Sequence, residues 1–287
     1  MRINYNHLRY FWFVARAGNL TRAARELRVS QSALSVQIKT LEGQLGHDLF
    51  ERRSKQLLLT ETGRMALEYA DSIFKAGEEL LYQLAHGREV PRRVFRVGAI
   101  TTLSRNFQVE FLQPLLGRDD VELVLSSASM GELLAQLETH RLDVVLTDNV
   151  PARDAATSWI AHRISEQPVS LVGDPKYTRR KRGLRELLSS EPLVLPSMDS
   201  NIRIAFDALV ERLGIRPRVI AEINDMTMLR MIAREKIGLA VVPPIVVRDE
   251  LKQGILKEIH KIPDIQETFY AVTLKRRYPN PLLRELV

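Results

Sequence analysis

From residue 94 onward, short apolar runs alternate with stretches of helical period, and the cycle is completed twice. Residues 94–100 are apolar, 103–116 helical in spacing, 121–127 strand-like, 131–139 helical and 143–147 a buried strand. The pattern returns as a strand over 193–196, a helix over 202–213, a strand over 218–223, a helix over 227–234 and a strand over 239–242. Strands that alternate with helices need crossover connections, which set the strands parallel with helices packed on the faces. Two consecutive sets predict an α/β region of two lobes. Residues 281–287 read as the start of a last helix.

In open α/β sheets, ligands bind beyond the carboxyl ends of the strands, against helix N-termini. That rule selects Thr101 and Thr102 after the first strand and Thr147, Asp148 and Asn149 after the third. In the second set it selects Ser197, Ser200, Asn201 and Asp225, with Asp199 and Asn224 beside them. These small polar groups would face one another across a cleft and hold a small effector. A local explanation competes for each, because Ser, Thr, Asn and Asp are common turn and N-cap residues. The carboxylates Asp148, Asp199 and Asp225 also suit a hard cation, which takes oxygen ligands. The six histidines show no metal-ligand spacing, and the metal assignment stays unknown.

The first 60 residues have a different period. Leu8, Phe11, Trp12 and Ala15 share one helical face. Gly18 suits the end of that helix, and Asn19 the N-cap of the next, over 20–28 with Ala23, Ala24 and Leu27 inward. Ser30 caps a third helix to about Leu45, buried through Leu34, Ile38, Leu41 and Leu45 and ended by Gly46. A short turn between the second and third helices gives a helix-turn-helix, whose second helix enters the major groove. Its outward face carries Gln31, Ser32, Ser35, Val36 and Lys39. Gln can bond adenine bidentately, Ser is an adaptable donor and acceptor, and Val offers only an apolar contact. Residues 48–60 then read as two short strands about a basic tip. This is a wing, with Arg52, Arg53 and Lys55 placed for phosphate.

Charge agrees with that reading. Residues 1–60 hold ten Lys/Arg against four Asp/Glu, residues 61–90 hold three against six, and residues 91–287 hold 29 against 25. The basic excess is concentrated in the first 60 residues, the electrostatic footprint of a nucleic-acid-binding domain. A solvated basic face is the competing explanation. The chain has no cysteine, which excludes disulfides, thiolate metal sites and cysteine nucleophiles. The apolar run near the start, 10–15, is short and flanked by Arg, unlike a signal peptide. No stretch reaches membrane-spanning length. The expected location is the cytoplasm.

From Glu61 to about His86 the pattern is one long helix. Ala66, Ala70, Ile73, Gly77, Leu80 and Leu84 alternate steps of four and three, which is a heptad seam for a partner helix. The small residues would let that partner approach closely. Packing of the same helix on its own domain is the alternative. Residues 91–93 begin a hinge. The expected divisions are 1–60 for the winged helix-turn-helix, 61–90 for the linker helix and 91–287 for the effector-binding domain.

The runs Ala23-Ala24-Arg25-Glu26-Leu27, Ser30-Gln31-Ser32-Ala33-Leu34-Ser35, Gln37-Ile38-Lys39-Thr40-Leu41-Glu42 and Leu45-Gly46-His47-Asp48-Leu49-Phe50-Glu51-Arg52 together resemble the LysR-type transcriptional regulators. The match is continuous over about 60 residues. Val36 departs from it, standing where many members carry Arg, so operator preference does not carry over. The resemblance implies homodimers paired into tetramers on double-stranded promoter DNA, acting toward RNA polymerase. It also implies an effector domain like the periplasmic solute-binding proteins, with strand crossings near 162–168 and 262–267. Lobe 1 would then be about 94–163 with 267–287, and lobe 2 about 164–262. Asn4-Tyr5-Asn6-His7-Leu8 with Tyr10-Phe11-Trp12, and later Leu142-Asp143-Val144-Val145-Leu146-Thr147-Asp148, are similar to the branch that activates sodium/proton antiporter genes. That narrower likeness makes the sodium ion a candidate effector.

Two other classes compete. A solute-binding protein of the periplasmic type fits the C-terminal half, but the basic N-terminal domain and the missing signal sequence oppose it. An enzyme finds no support from a phosphate-binding loop, a nucleophile elbow, a zinc-binding histidine pair or a dinucleotide fingerprint. The expectation is a regulator without catalytic activity or a tightly held cofactor.

Overall fold

The computed structural model describes residues 3–53, 56–86, 92–151, 159–198, 200–276 and 278–287. Three helices open the chain: α1 (Tyr5–Ala17), α2 (Leu20–Leu27) and α3 (Gln31–Leu45). Their ends are set by local chemistry. Asn19 caps α2 by accepting from the backbone N–H groups of Thr21 and Arg22, and Ser30 caps α3 by accepting from Ala33. Gly18 and Gly46 close α1 and α3 in left-handed conformations that cost glycine little. The short antiparallel strands β1 (Phe50–Arg53) and β2 (Gln56–Leu59) form the wing. Ser54 and the predicted phosphate contact Lys55 lie outside the described residues.

The long helix α4 (Glu61–His86) has the predicted bounds. The Thr60 hydroxyl accepts from the Gly63 N–H at 2.9 Å and donates to the Asp48 carbonyl at 2.7 Å, which joins the start of α4 to the wing. Leu67 and Ala70 are fully buried in one cluster with Phe11, Leu41 and Leu49. This corrects the expected seam. Ala70 is 0% exposed, so it belongs to the core of its own domain, and Ala66 packs partly against the same cluster. Small residues at these positions admit α1, not a partner. Ile73, Gly77, Leu80 and Leu84 remain exposed, Leu80 at 57% and Leu84 at 75%.

The remaining strands form one eight-stranded sheet in the order β4-β3-β5-β10-β6-β9-β7-β8. In the first lobe, β3 (Arg93–Ile100) lies parallel to β4 (Val121–Ala128) and β5 (Val144–Thr147), with α5 (Arg105–Leu112) and α6 (Met130–Glu138) between them in sequence. In the second, β7 (Pro192–Pro196) lies parallel to β8 (Arg218–Ile223) and β9 (Leu239–Val242), with α7 (Leu184–Ser190), α8 (Asn201–Arg212), α9 (Met226–Arg234) and α10 (Arg248–Lys252). The joint is a long antiparallel pair, β6 (Trp159–Gly173) and β10 (Lys257–Leu274). Its ladder runs from Trp159↔Leu274 to Gly173↔Lys257 and is interrupted between Lys261 and Gln266. One end of β10 pairs with β5 and the far end of β6 with β9, so these two strands carry the chain from one lobe to the other and back. The expected last helix is a single 3-10 turn, Pro281–Glu285.

Asp71 of α4 ties the two halves of the chain together. It accepts from Trp12 Nε1 at 2.6 Å and Arg16 at 3.2 Å, both on α1, and bonds His140 Nδ1 beyond α6. Burial alone would raise the Asp71 pKa, but the bonds from His140 and Trp12 and the charge of Arg16 outweigh it and hold it below the usual carboxylate value. Burial also pulls His140 below the usual histidine value, ahead of the opposing pull of Asp71. The imidazole is therefore neutral near pH 7 and donates its Nδ1–H to the carboxylate.

Candidate functional site

The DNA-facing surface follows from the packing of α3. Leu34, Ile38 and Leu41 point into the domain, which turns Gln31, Ser32, Val36 and Lys39 outward, with Val36 60% exposed. Ser35 is half-buried. Gln31 Oε1 accepts from Thr21 Oγ1 at 3.3 Å, which orients the amide and leaves its second lone pair and its NH2 group for a bidentate contact with adenine. Arg52 and Arg53 lie on β1 of the wing. Glu42, not singled out by sequence, accepts from the N–H groups of Leu49 at 2.8 Å and Phe50 at 3.2 Å. It fixes the wing to the reading helix through two charge-assisted bonds. The clue was available: an acid on the inward side of a helix needs a buried partner.

A second concave surface lies between the lobes, a cavity of about 220 Å³. Seven of the residues selected from sequence line it: Thr101, Thr102, Asp148 and Asn149 from the first lobe and Ser197, Ser200 and Asn224 from the second. Three others are corrected. Thr147 is fully buried in β5, and its hydroxyl donates to Asn149 O and accepts from Asn149 N. Asp225 caps α9 by accepting from Met228 N at 2.7 Å, and its neighbours Asn224 and Met226 line the cavity in its place. Asn201 is not part of the wall, but its Nδ2 donates to Asn149 Oδ1 and so bridges the lobes. Asp199 lies outside the described residues.

The apolar part of the wall, Ile100, Met130, Ile223 and Met226 among it, was not expected from sequence. These residues flank the strand ends and read as ordinary core. Ser129 caps α6 in a capping box with Glu132, and Ser200 and Met226 stand at the starts of α8 and α9. Three helix N-termini thus bring partial positive charge to the cavity, while Asp148 brings a carboxylate. Behind it lies Glu267 of β10, only 7% exposed. Burial, and secondarily the charge of Asp148, push the Glu267 pKa up to about 8. Among the described residues, no group of three or more His, Asp or Glu side chains is placed to hold a metal ion. Among them, no helix is long and apolar enough to cross a membrane.

A winged helix-turn-helix carried on a long helix, joined to a two-lobed sheet with a cavity between the lobes, defines a DNA-binding protein that answers to a small effector. Comparison with known proteins agrees. Residues 5–64 match the bacterial regulatory helix-turn-helix protein, lysR family, and residues 88–287 match the LysR substrate binding domain. The chain belongs to the LysR family of transcriptional regulators. It is 24% identical to the transcriptional activator protein NhaR of Escherichia coli (strain K12), over 99% of this chain and 94% of that protein. It is 26% identical to the RuBisCO operon transcriptional regulator of Allochromatium vinosum, over 96% and 92%. Full-length OxyR from Pseudomonas aeruginosa shares the fold, with a TM-score of 0.60 at 22% identity over 100% of this chain and 93% of that one.

Proposed function

We propose that this regulator is a sodium-responsive activator of a sodium/proton antiporter gene, and that its interlobe cavity is the sensing site. The observation that carries the sensing reading is the Asn149–Asn201 bond, a contact between lobes beside the Asp148 carboxylate. A ligand that reorganises this contact shifts the balance between lobe arrangements by its differential affinity for them. Thr101, Thr102, Asp148, Asn149, Ser197 and Ser200 contact the effector. Gln31, Ser32, Ser35 and Val36 meet base edges, and Lys39, Arg52, Arg53 and Lys55 meet phosphate. Ile73, Gly77, Leu80 and Leu84 pair α4 with its counterpart in a second subunit, and two dimers make a tetramer. The protein works in the cytoplasm, upstream of RNA polymerase, without catalysis of its own. The sodium assignment is supported by the full-length similarity to NhaR and by the Asp148 carboxylate in the cavity wall, an oxygen donor of the kind a hard cation takes.

The test is a footprint of purified protein on the DNA upstream of its own and neighbouring genes, in sodium chloride and in potassium chloride at equal ionic strength. A protected near-palindrome whose pattern changes in sodium is the expected result. Identical protection in both salts removes sodium as the effector and leaves the DNA assignment standing.

A further inference from the structure

The second lobe carries a concentration of positive charge with no role in the cavity or in α3. Between Pro175 and Arg185 there are six basic residues and no acid: Lys176, Arg179, Arg180, Lys181, Arg182 and Arg185. The rest of residues 91–287 holds 23 basic and 25 acidic residues, so the basic excess of the effector domain resides in this one segment, a loop that runs into the first turn of α7. Two of the six serve the local structure. Arg182 is half-buried, pairs with Glu191 and lies over the Tyr177 ring, and Lys176 lies over the same ring. Asp174 caps the 3-10 turn Pro175–Thr178 and holds the base of the loop. Arg179, Arg180, Lys181 and Arg185 are exposed, and none of them pairs with a carboxylate among the described residues.

We propose that this loop is a second DNA-contacting surface, which grips the phosphate backbone outside the half-site read by α3. Four unneutralised cations within seven residues are repulsive to each other, and a polyanion relieves that repulsion while releasing its own counterions. Three of the four are guanidinium groups, whose planar forks match phosphate oxygens. The partner is already at hand. A regulator anchored by its winged domain holds its second lobe at a high effective concentration next to duplex, so even weak cationic contacts are populated. The bond between α4 and the effector domain is made by the first lobe, through His140. The loop on the second lobe therefore meets flanking or neighbouring duplex, not the base pairs under the same chain's reading helix. Such contacts carry no sequence information and favour DNA that curves toward the protein.

The inference rests on the DNA-binding role of the family, and the test separates the two. The full chain and a variant with Arg179→Gln, Arg180→Gln, Lys181→Gln and Arg185→Gln are titrated over a range of salt. One duplex is trimmed to the protected operator, and the other is extended on each side by about four helical turns of unrelated sequence. Equal binding of both proteins to the short duplex verifies that the variant is folded. On the long duplex the variant is expected to bind about tenfold or more weakly. Its log–log salt slope should be shallower by roughly 2–4 units, near 0.9 for each phosphate no longer neutralised. Flanking protection against hydroxyl radicals disappears with it. Identical behaviour of the two proteins on the long duplex overturns the proposal. So does a variant that keeps all DNA binding but loses association with RNA polymerase, because the loop would then fit an acidic protein surface. Failure of the unaltered protein to bind either duplex overturns the operator-reading assignment and this inference together.

Discussion

Replacing Glu267 by Gln isolates one buried carboxyl whose titration the fold has moved into the neutral range. Its pKa is about 8, against 4.5 for an ordinary Glu, because burial penalises the anion and Asp148 adds like charge. An acid raised in this way keeps its proton in the folded protein where the unfolded chain has released it. It contributes stability that is fully present below pH 4.5 and is lost as pH rises through 8. Three pH units lie between 5 and 8, each worth about 1.4 kcal/mol, so the contribution declines by about 4 kcal/mol over that interval. Gln nearly matches the protonated carboxyl in shape and does not titrate. Glu267→Gln should therefore equal the parent protein at pH 5 and exceed it by about 4 kcal/mol at pH 8 to 9. For a domain of this size the difference in Tm should open to about 8–16 °C. Differential scanning calorimetry of the full chain from pH 5 to 9 measures it. Parallel stability curves for the two proteins would refute the reasoning, since a carboxyl that titrates normally gives no such divergence. Asp148→Asn removes the like charge and should flatten the pH dependence of the parent in the same experiment.

The remaining expectations concern the DNA-binding half and the lobe contact. A Cβ at residue 63 would press into the backbone carbonyl of Leu49, which no side-chain rotation relieves, so Gly63→Ala should destabilise the winged domain by about 3 kcal/mol. A normal melt and normal operator affinity for that variant would contradict it. Leu80→Glu places a charge in the exposed stripe of α4 and should reduce the solution mass to that of a monomer or an unpaired dimer, and light scattering that shows no change would place the interface elsewhere. Asn201→Ala removes the bridge to Asn149 and should alter effector response several-fold while operator affinity without effector stays within about twofold, a small effect as expected for one exposed neutral bond. Gln31→Ala should reduce preference for the operator over random DNA by about 1–3 kcal/mol, whereas equal reductions on both would mean that Gln31 reads no base.

The N-terminal half was legible because its determinants are local. Asn19, Ser30 and Gly46 act within one turn of the chain, and the apolar spacing of Leu34, Ile38 and Leu41 sets which face of α3 is outward. The α/β alternation was equally readable, and the strands over 218–223 and 239–242 have the expected bounds. What failed was long-range. Ala70 belongs to the heptad pattern and to the domain core at once, and periodicity does not say which neighbour arrives first. Thr147 and Asp225 have the right residue types at strand ends, yet Thr147 is fully buried and bonded to the backbone of Asn149, and Asp225 is turned to cap α9. Met130, Ile223 and Met226 line the cavity although nothing in their local sequence separates a cavity wall from core. Glu267 lies far in sequence from Asp148, and only the tertiary fold sets them side by side.

The rooting of α4 in the winged domain makes that helix a lever with its fulcrum among Phe11, Leu67 and Ala70. Sixteen residues extend beyond Ala70 to His86, an arm of roughly 24 Å at 1.5 Å per residue. A tilt of about 10° about that fulcrum displaces the far end by about 4 Å. Asp71, one residue beyond Ala70, also holds His140 of the first lobe, so a shift of that lobe acts at the short side of the helix, whereas a partner seated on the exposed Leu80 and Leu84 acts on the long arm.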